Sequence, residues 1–76
     1  MMNHIQDAVN ESNVKPLLID IKQVCNMIGM SPAFTWGRVA ANRFPKPIKL
    51  GRATRWRASD VEEWVDQQAA AAQEGA

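Results

Sequence analysis

Two prolines one residue apart, Pro45 and Pro47, divide the chain into two halves that fold differently. Proline has no N–H to give a helix, and it pushes the residue before it out of the α region. The run Phe44-Pro45-Lys46-Pro47 therefore cannot be helical and must turn the chain into extended structure. Upstream of this bend the apolar residues recur at helical spacing, and downstream they alternate.

Before the bend, Asp20 offers an N-cap with Gln23 at the capping-box position, and Ile21, Val24, Cys25 and Ile28 recur at i, i+3, i+4 and i+7. This is an amphipathic helix of about two turns. Gly29 closes it, and Ser31-Pro32 restarts the chain with an N-cap followed by proline at the first helical position. Helix, short break and helix is the spacing of a helix-turn-helix. The second helix is expected from Pro32 to about Asn42, with Trp36, Val39 and Ala40 on one face and Phe34, Arg38 and Ala41 opposite. Gly37 weakens its centre by roughly 1 kcal/mol relative to alanine.

After the bend, Ile48-Lys49-Leu50, Gly51-Arg52-Ala53 and Thr54-Arg55-Trp56-Arg57 read as strand, turn and strand. The alternation puts Ile48, Leu50, Thr54 and Trp56 inward and leaves Lys49, Arg55 and Arg57 outward. Ser59-Asp60-Val61-Glu62 has the form of a capping box, opening a third helix that buries Val61, Trp64 and Val65. Leu17, Leu18 and Ile19 suit a brief strand or an extended lead-in. Residues 1–15 are polar and aperiodic, which predicts a disordered leader. The folded unit is expected over 16–68, with 69–76 a tail that extends the last helix before fraying. The expected fold class is α+β, mainly α: a small winged helix-turn-helix of three helices and a two-stranded β-hairpin wing.

With 76 residues the chain has room for one domain and buries little more apolar surface than a fold needs. Its single cysteine, Cys25, excludes an intrachain disulfide, and there is no Cys/His cluster for a structural metal. His4 has no acid or thiol arranged near it, so no catalytic constellation assembles and the chain is not read as an enzyme. No cofactor and no small-molecule substrate are expected. The first residues lack the basic start and apolar run of a secretory signal, and no stretch has the apolar length that spans a bilayer. A cytoplasmic location, nucleoid-associated when bound, is the expectation.

The net charge of +1 conceals an uneven distribution. From Ile21 to Ser59 there are eight basic residues, Lys22, Arg38, Arg43, Lys46, Lys49, Arg52, Arg55 and Arg57, and no acid; the flanks hold all eight acids and only Lys15. A field so one-sided attracts a polyanion and steers its approach. Seven of those eight cations follow Trp36, which concentrates them around the second helix, the bend and the hairpin.

The run FPKPIKLGRATRWRASDVEEWV, residues 44–65, together with IDIKQVCNMIGMSPAFTWGRV upstream, resembles the AlpA family of prophage regulatory proteins, within the broader excisionase-like, MerR-like winged-helix group. The likeness covers about residues 17–66. It implies a double-stranded DNA-binding transcriptional regulator of prophage or mobile-element genes, or alternatively an excisionase acting as a recombination directionality factor. Family members commonly carry a basic residue at the place of Gly37, a small polar residue at Phe34 and glycine at Asn42. These positions lie on the expected recognition helix, so its base-reading set is not carried over.

On the residues themselves, an α-helix fits the major groove, where arginine forks onto guanine and asparagine onto adenine. Arg38, Asn42 and Arg43 suit that role, with Ser31 and Thr35 on the same helix; a phosphate contact is the other reading for Arg38. Phe34 either touches a thymine methyl or, if the helix is rotated, packs inside. Lys46, Lys49, Arg52, Arg55 and Arg57 can straddle a backbone, and Arg52 at the hairpin tip suits a narrow minor groove. Trp36, Trp56 and Trp64 are expected to build the core rather than stack on bases. A single module of this size covers few base pairs, so self-association on repeated half-sites is expected, with the acidic third helix or its Ala-rich end as the contact. From another class, a protein-interaction adaptor or RNA-binding module would use the same fold.

Overall fold

The computed structural model describes residues 16–75; the leader expected over 1–15 lies outside the described residues. The elements follow the order β1 (Leu18–Ile19), α1 (Ile21–Ile28), α2 (Pro32–Ala40), β2 (Ile48–Leu50), β3 (Ala53–Arg57) and α3 (Ala58–Gly75). The strands form one antiparallel sheet in the order β1-β3-β2, so the winged helix-turn-helix has three helices and a wing whose inner strand is also paired with the lead-in.

The caps read from sequence for α1 and α2 are the caps that form. The Gln23 N–H donates to the Asp20 carboxylate at 2.8 Å and the Asp20 N–H donates to the Gln23 side-chain oxygen at 2.9 Å, a complete capping box. Gly29 takes φ 71° and closes α1, and its N–H donates to the Cys25 carbonyl at 2.8 Å. Ser31 caps α2 by accepting from the Phe34 N–H at 3.1 Å, with Pro32 at the first helical position. α2 stops at Ala40, two residues short of the expected Asn42. Asn42 adopts φ 61°, and the N–H groups of Asn42 and Arg43 donate back to the Val39 and Arg38 carbonyls, a Schellman closure.

Ile19, Val24, Phe44, Trp56 and Val61 form the core, with Ile21, Ile28, Val39, Ala58 and Trp64 packed around them. Phe44 sits edge-on to Trp64 at 4.7 Å and to Trp56 at 6.5 Å, and Trp36 lies 5.3 Å from Trp56. The Trp56 indole N–H donates to the Pro45 carbonyl at 2.9 Å, and the Trp64 indole N–H donates to the Arg43 carbonyl at 2.8 Å. Two tryptophans from β3 and α3 thus hold the bend that joins α2 to the wing.

Four inward assignments are corrected, those of Ile48, Leu50, Trp36 and Val65. The wing closes with a two-residue turn, Gly51-Arg52, pairing Leu50 with Ala53, Lys49 with Thr54 and Ile48 with Arg55. Opposed residues in an antiparallel pair share a face, so Lys49 lies on the face of Thr54 and Trp56, while Ile48 and Leu50 lie on the face of Arg55 and Arg57. A turn including Ala53 would have slipped the pairing by one residue and given the alternation first expected. Gly51 at φ 62° supplies the glycine-first geometry that permits the tighter turn. Trp36 is 42% exposed, because the buried side of α2 is centred on Thr35 and Val39. Val65 is 40% exposed, since α3 turns Val61 and Trp64 onto the core and leaves Val65 at its flank. α3 opens at Ala58 directly after β3, which puts Ser59 inside the helix instead of at its cap, and runs unbroken to Gly75.

The Trp56 hydrogen bond predicts a measurable cost. Trp56→Phe keeps most of the ring contact but leaves the Pro45 carbonyl without its donor, and should lower unfolding stability by about 1–3 kcal/mol in urea melts. An unchanged midpoint would show that the bend does not need this bond.

Candidate nucleic-acid interface

α2 is set against α1 by Thr35, which is fully buried. Its hydroxyl donates to the Ser31 carbonyl at 3.0 Å and lies 3.5 Å from the Cys25 sulfur. Bonding to its own helix satisfies the hydroxyl inside the core. Thr35 is thus a crossing residue of the helix-turn-helix, and its side chain is not available to a groove.

With Thr35 and Val39 inward, the helical spacing turns Ala33, Gly37, Ala40 and Ala41 outermost, and all four are exposed. Trp36 borders this small-residue face on one side, and Phe34 with Arg38 on the other. The Arg38 guanidinium lies over the Phe34 ring at 4.9 Å from its centroid, and Phe34 is half-buried beneath it. The two readings of Phe34 thus meet halfway: it packs, but as a platform for an arginine on the helix surface. Arg38, Asn42 and Arg43 form one wall of a cleft whose other wall is α3, with Asp60, Glu63 and Trp64. The cleft thus sets two cations, Arg38 and Arg43, opposite two acids, Asp60 and Glu63. Asn42 is exposed, with its backbone used as the helix stop; its left-handed φ is the conformation that glycine, expected there from the resemblance, adopts most readily.

Lys46 is exposed between the two prolines of the bend, and Arg52 is exposed in the turn at the wing tip. The Lys49 ammonium donates to the Thr54 hydroxyl at 2.8 Å, across the wing on the Trp56 face. Arg55 is half-buried and donates to the Thr54 carbonyl at 2.9 Å; Arg57, exposed, ends β3 opposite Leu18. The cations therefore fall into three groups: Arg38 and Arg43 at the end of α2, Lys46 in the bend, and Lys49, Arg52, Arg55 and Arg57 along the wing. Ser31 is exposed, with its hydroxyl engaged at the start of α2. Trp36 was expected inside, yet it lies between α2 and the root of the wing with an open apolar edge. The one sequence signal for this was Thr35 four residues after the Ser31 cap, the spacing at which a threonine hydroxyl bonds back to its own helix.

A family model described as Prophage CP4-57 regulatory protein (AlpA) matches residues 18–69, from β1 into α3. No curated protein matches the chain. Among the described residues, no helix is long and apolar enough to cross a membrane.

α2 is continuous through Gly37, and a Cβ built at that glycine meets nothing within 4 Å. Gly37→Ala should therefore stabilise the protein by about 0.5–1 kcal/mol, read as a higher urea midpoint. A lower midpoint would mean that α2 is not helical at its centre.

Proposed function

The chain belongs to the AlpA family of prophage regulatory proteins, and on that premise we propose that it is a sequence-specific, double-stranded DNA-binding regulator of transcription from prophage or mobile-element genes. The observation that carries the reading is the run from Ile21 to Ser59, with eight basic residues and no acid. That run spans the helix-turn-helix, the bend and the whole wing.

In this reading α2 enters the major groove. Its outermost residues are small, so the helix axis approaches the base edges closely, and reading falls to the flanks. Arg38 hydrogen-bonds a guanine or a phosphate, Asn42 and Arg43 reach the adjacent backbone or base, and the edges of Phe34 and Trp36 meet thymine methyls or sugars. Lys46 and Lys49 follow the neighbouring phosphates, and Arg52 at the tip enters the minor groove, where narrow A·T-rich sequence has the most negative potential. Asp60 and Glu63 of α3 line the cleft beside Arg38 and Arg43 and repel the duplex from any docking that would use that helix.

Competition separates this from an RNA-binding or adaptor role. Duplex DNA should displace a labelled duplex at concentrations where duplex RNA of equal length does not; equal displacement by both, or no binding to either, rejects the reading. A salt titration measures the electrostatic part. About five phosphate contacts give a slope near −4.5 in log K against log salt, and Arg52→Ala should make it shallower by about 0.9. A slope near zero would exclude the wing as an electrostatic clamp.

A further inference from the structure

The sheet has two faces, and among the described residues only one is covered. Ile19, Thr54 and Trp56 face the helices; Leu18, Ile48, Leu50, Arg55 and Arg57 share the other side. Leu50 is 49% exposed, Leu18 37%, and Leu17 beside them 84%. Leu17, Leu18, Ile48 and Ala58 line an apolar groove together with Arg57 and Ser59. An apolar strip bordered by arginines is more than a phosphate backbone requires, since leucine and isoleucine gain nothing from phosphate oxygens.

The same chain carries a complementary surface. α3 has five acids, Asp60, Glu62, Glu63, Asp66 and Glu74, and no basic residue. Every residue from Val65 to Gln73 is exposed, so this half of the helix projects beyond the core. Val65, Ala69 and Ala72 recur at i, i+4 and i+7, an apolar line with Asp66 alongside it. Nine residues of helix span about 13 Å, and three strands span about 10 Å, so the arm reaches across the open sheet face.

These two surfaces cannot meet within one chain. α3 starts at Ala58, the residue directly after β3, and Val61 anchors it in the core on the covered side of the sheet. With no loop at that junction, the helix cannot fold around to the opposite face. We propose that the outer sheet face binds the α3 arm of a second copy of this chain, apolar line against apolar strip, with Asp66 near Arg55 or Arg57. Each copy then offers its arm to one neighbour and its face to another, a head-to-tail contact that lines copies up along repeated sites. The association does not rest on duplex binding and is measured without DNA.

Sedimentation velocity on the full chain tests it. The sedimentation coefficient should rise with protein concentration past that of a dimer. Ala69→Lys on the arm and Leu17→Lys on the face should each weaken association by about tenfold or more, because each brings a cation against apolar surface or arginines. Leu17 lies outside the strands, so its variant should retain the wild-type circular dichroism spectrum. Mixing the two variants should restore a 1:1 dimer and nothing larger, since each keeps one intact surface. Three results would overturn the proposal: a wild-type protein that stays monomeric at about 500 µM, far above a micromolar dissociation constant; association that neither variant affects; or a mixture no larger than its parts. Unchanged self-association together with tighter duplex binding by Leu17→Lys would assign the face to DNA instead.

Discussion

The bend between α2 and the wing depends on two indole N–H groups. Pro45 and Pro47 remove two donors from the segment that joins α2 to the hairpin, so this segment cannot organise itself by regular backbone pairing. Its carbonyls at Arg43 and Pro45 are taken up by Trp64 from α3 and Trp56 from β3. The Trp56 bond is part-buried, so losing it costs about 1 kcal/mol or more, a large share of what a chain of 76 residues has to spare. The same rings, with Phe44 between them, supply much of the core's volume. The contacts that stabilise the fold are therefore the contacts that fix the angle between helix and wing.

That coupling gives the charge distribution its meaning. Alone, a basic segment is an attractive field without a shape. Held by Trp56 and Trp64, the cations of α2, the bend and the wing keep set positions relative to one another, while the acids of α3 are kept on another element. Thr35 plays the matching part at the other end of α2, where its buried hydroxyl beside Cys25 sets the crossing of the two helices. In the proposed reading, a regulator of the AlpA family built this way orients its duplex through rigidity.

Much of this was legible in the sequence where local chemistry decides the outcome. The Asp20-Gln23 capping box, Gly29, Ser31-Pro32 and the double-proline bend each act within a few residues, and each formed as expected. What was not legible depended on a one-residue choice settled by packing. Whether Ala53 belongs to the turn or the strand changes the register by one, and with it the face of Ile48, Leu50 and Lys49. On α2, Thr35 and Trp36 compete for the inward position; hydrophobicity favours tryptophan, but the threonine hydroxyl finds a carbonyl on its own helix and fits against Cys25. Asn42 looked like a base reader by type, and its backbone proves to be the helix stop. The residue types at the interface could be read, and the direction in which each points could not.

The most direct test of a recognition helix and a wing held as one surface is a footprint on a bound duplex, combining guanine N7 methylation with hydroxyl-radical cleavage. The account predicts a protected major-groove patch and, next to it on the same side of the duplex, a protected minor-groove patch, with Arg52→Ala erasing only the second. Protection confined to scattered phosphates, or a minor-groove patch that survives the loss of Arg52, would contradict it.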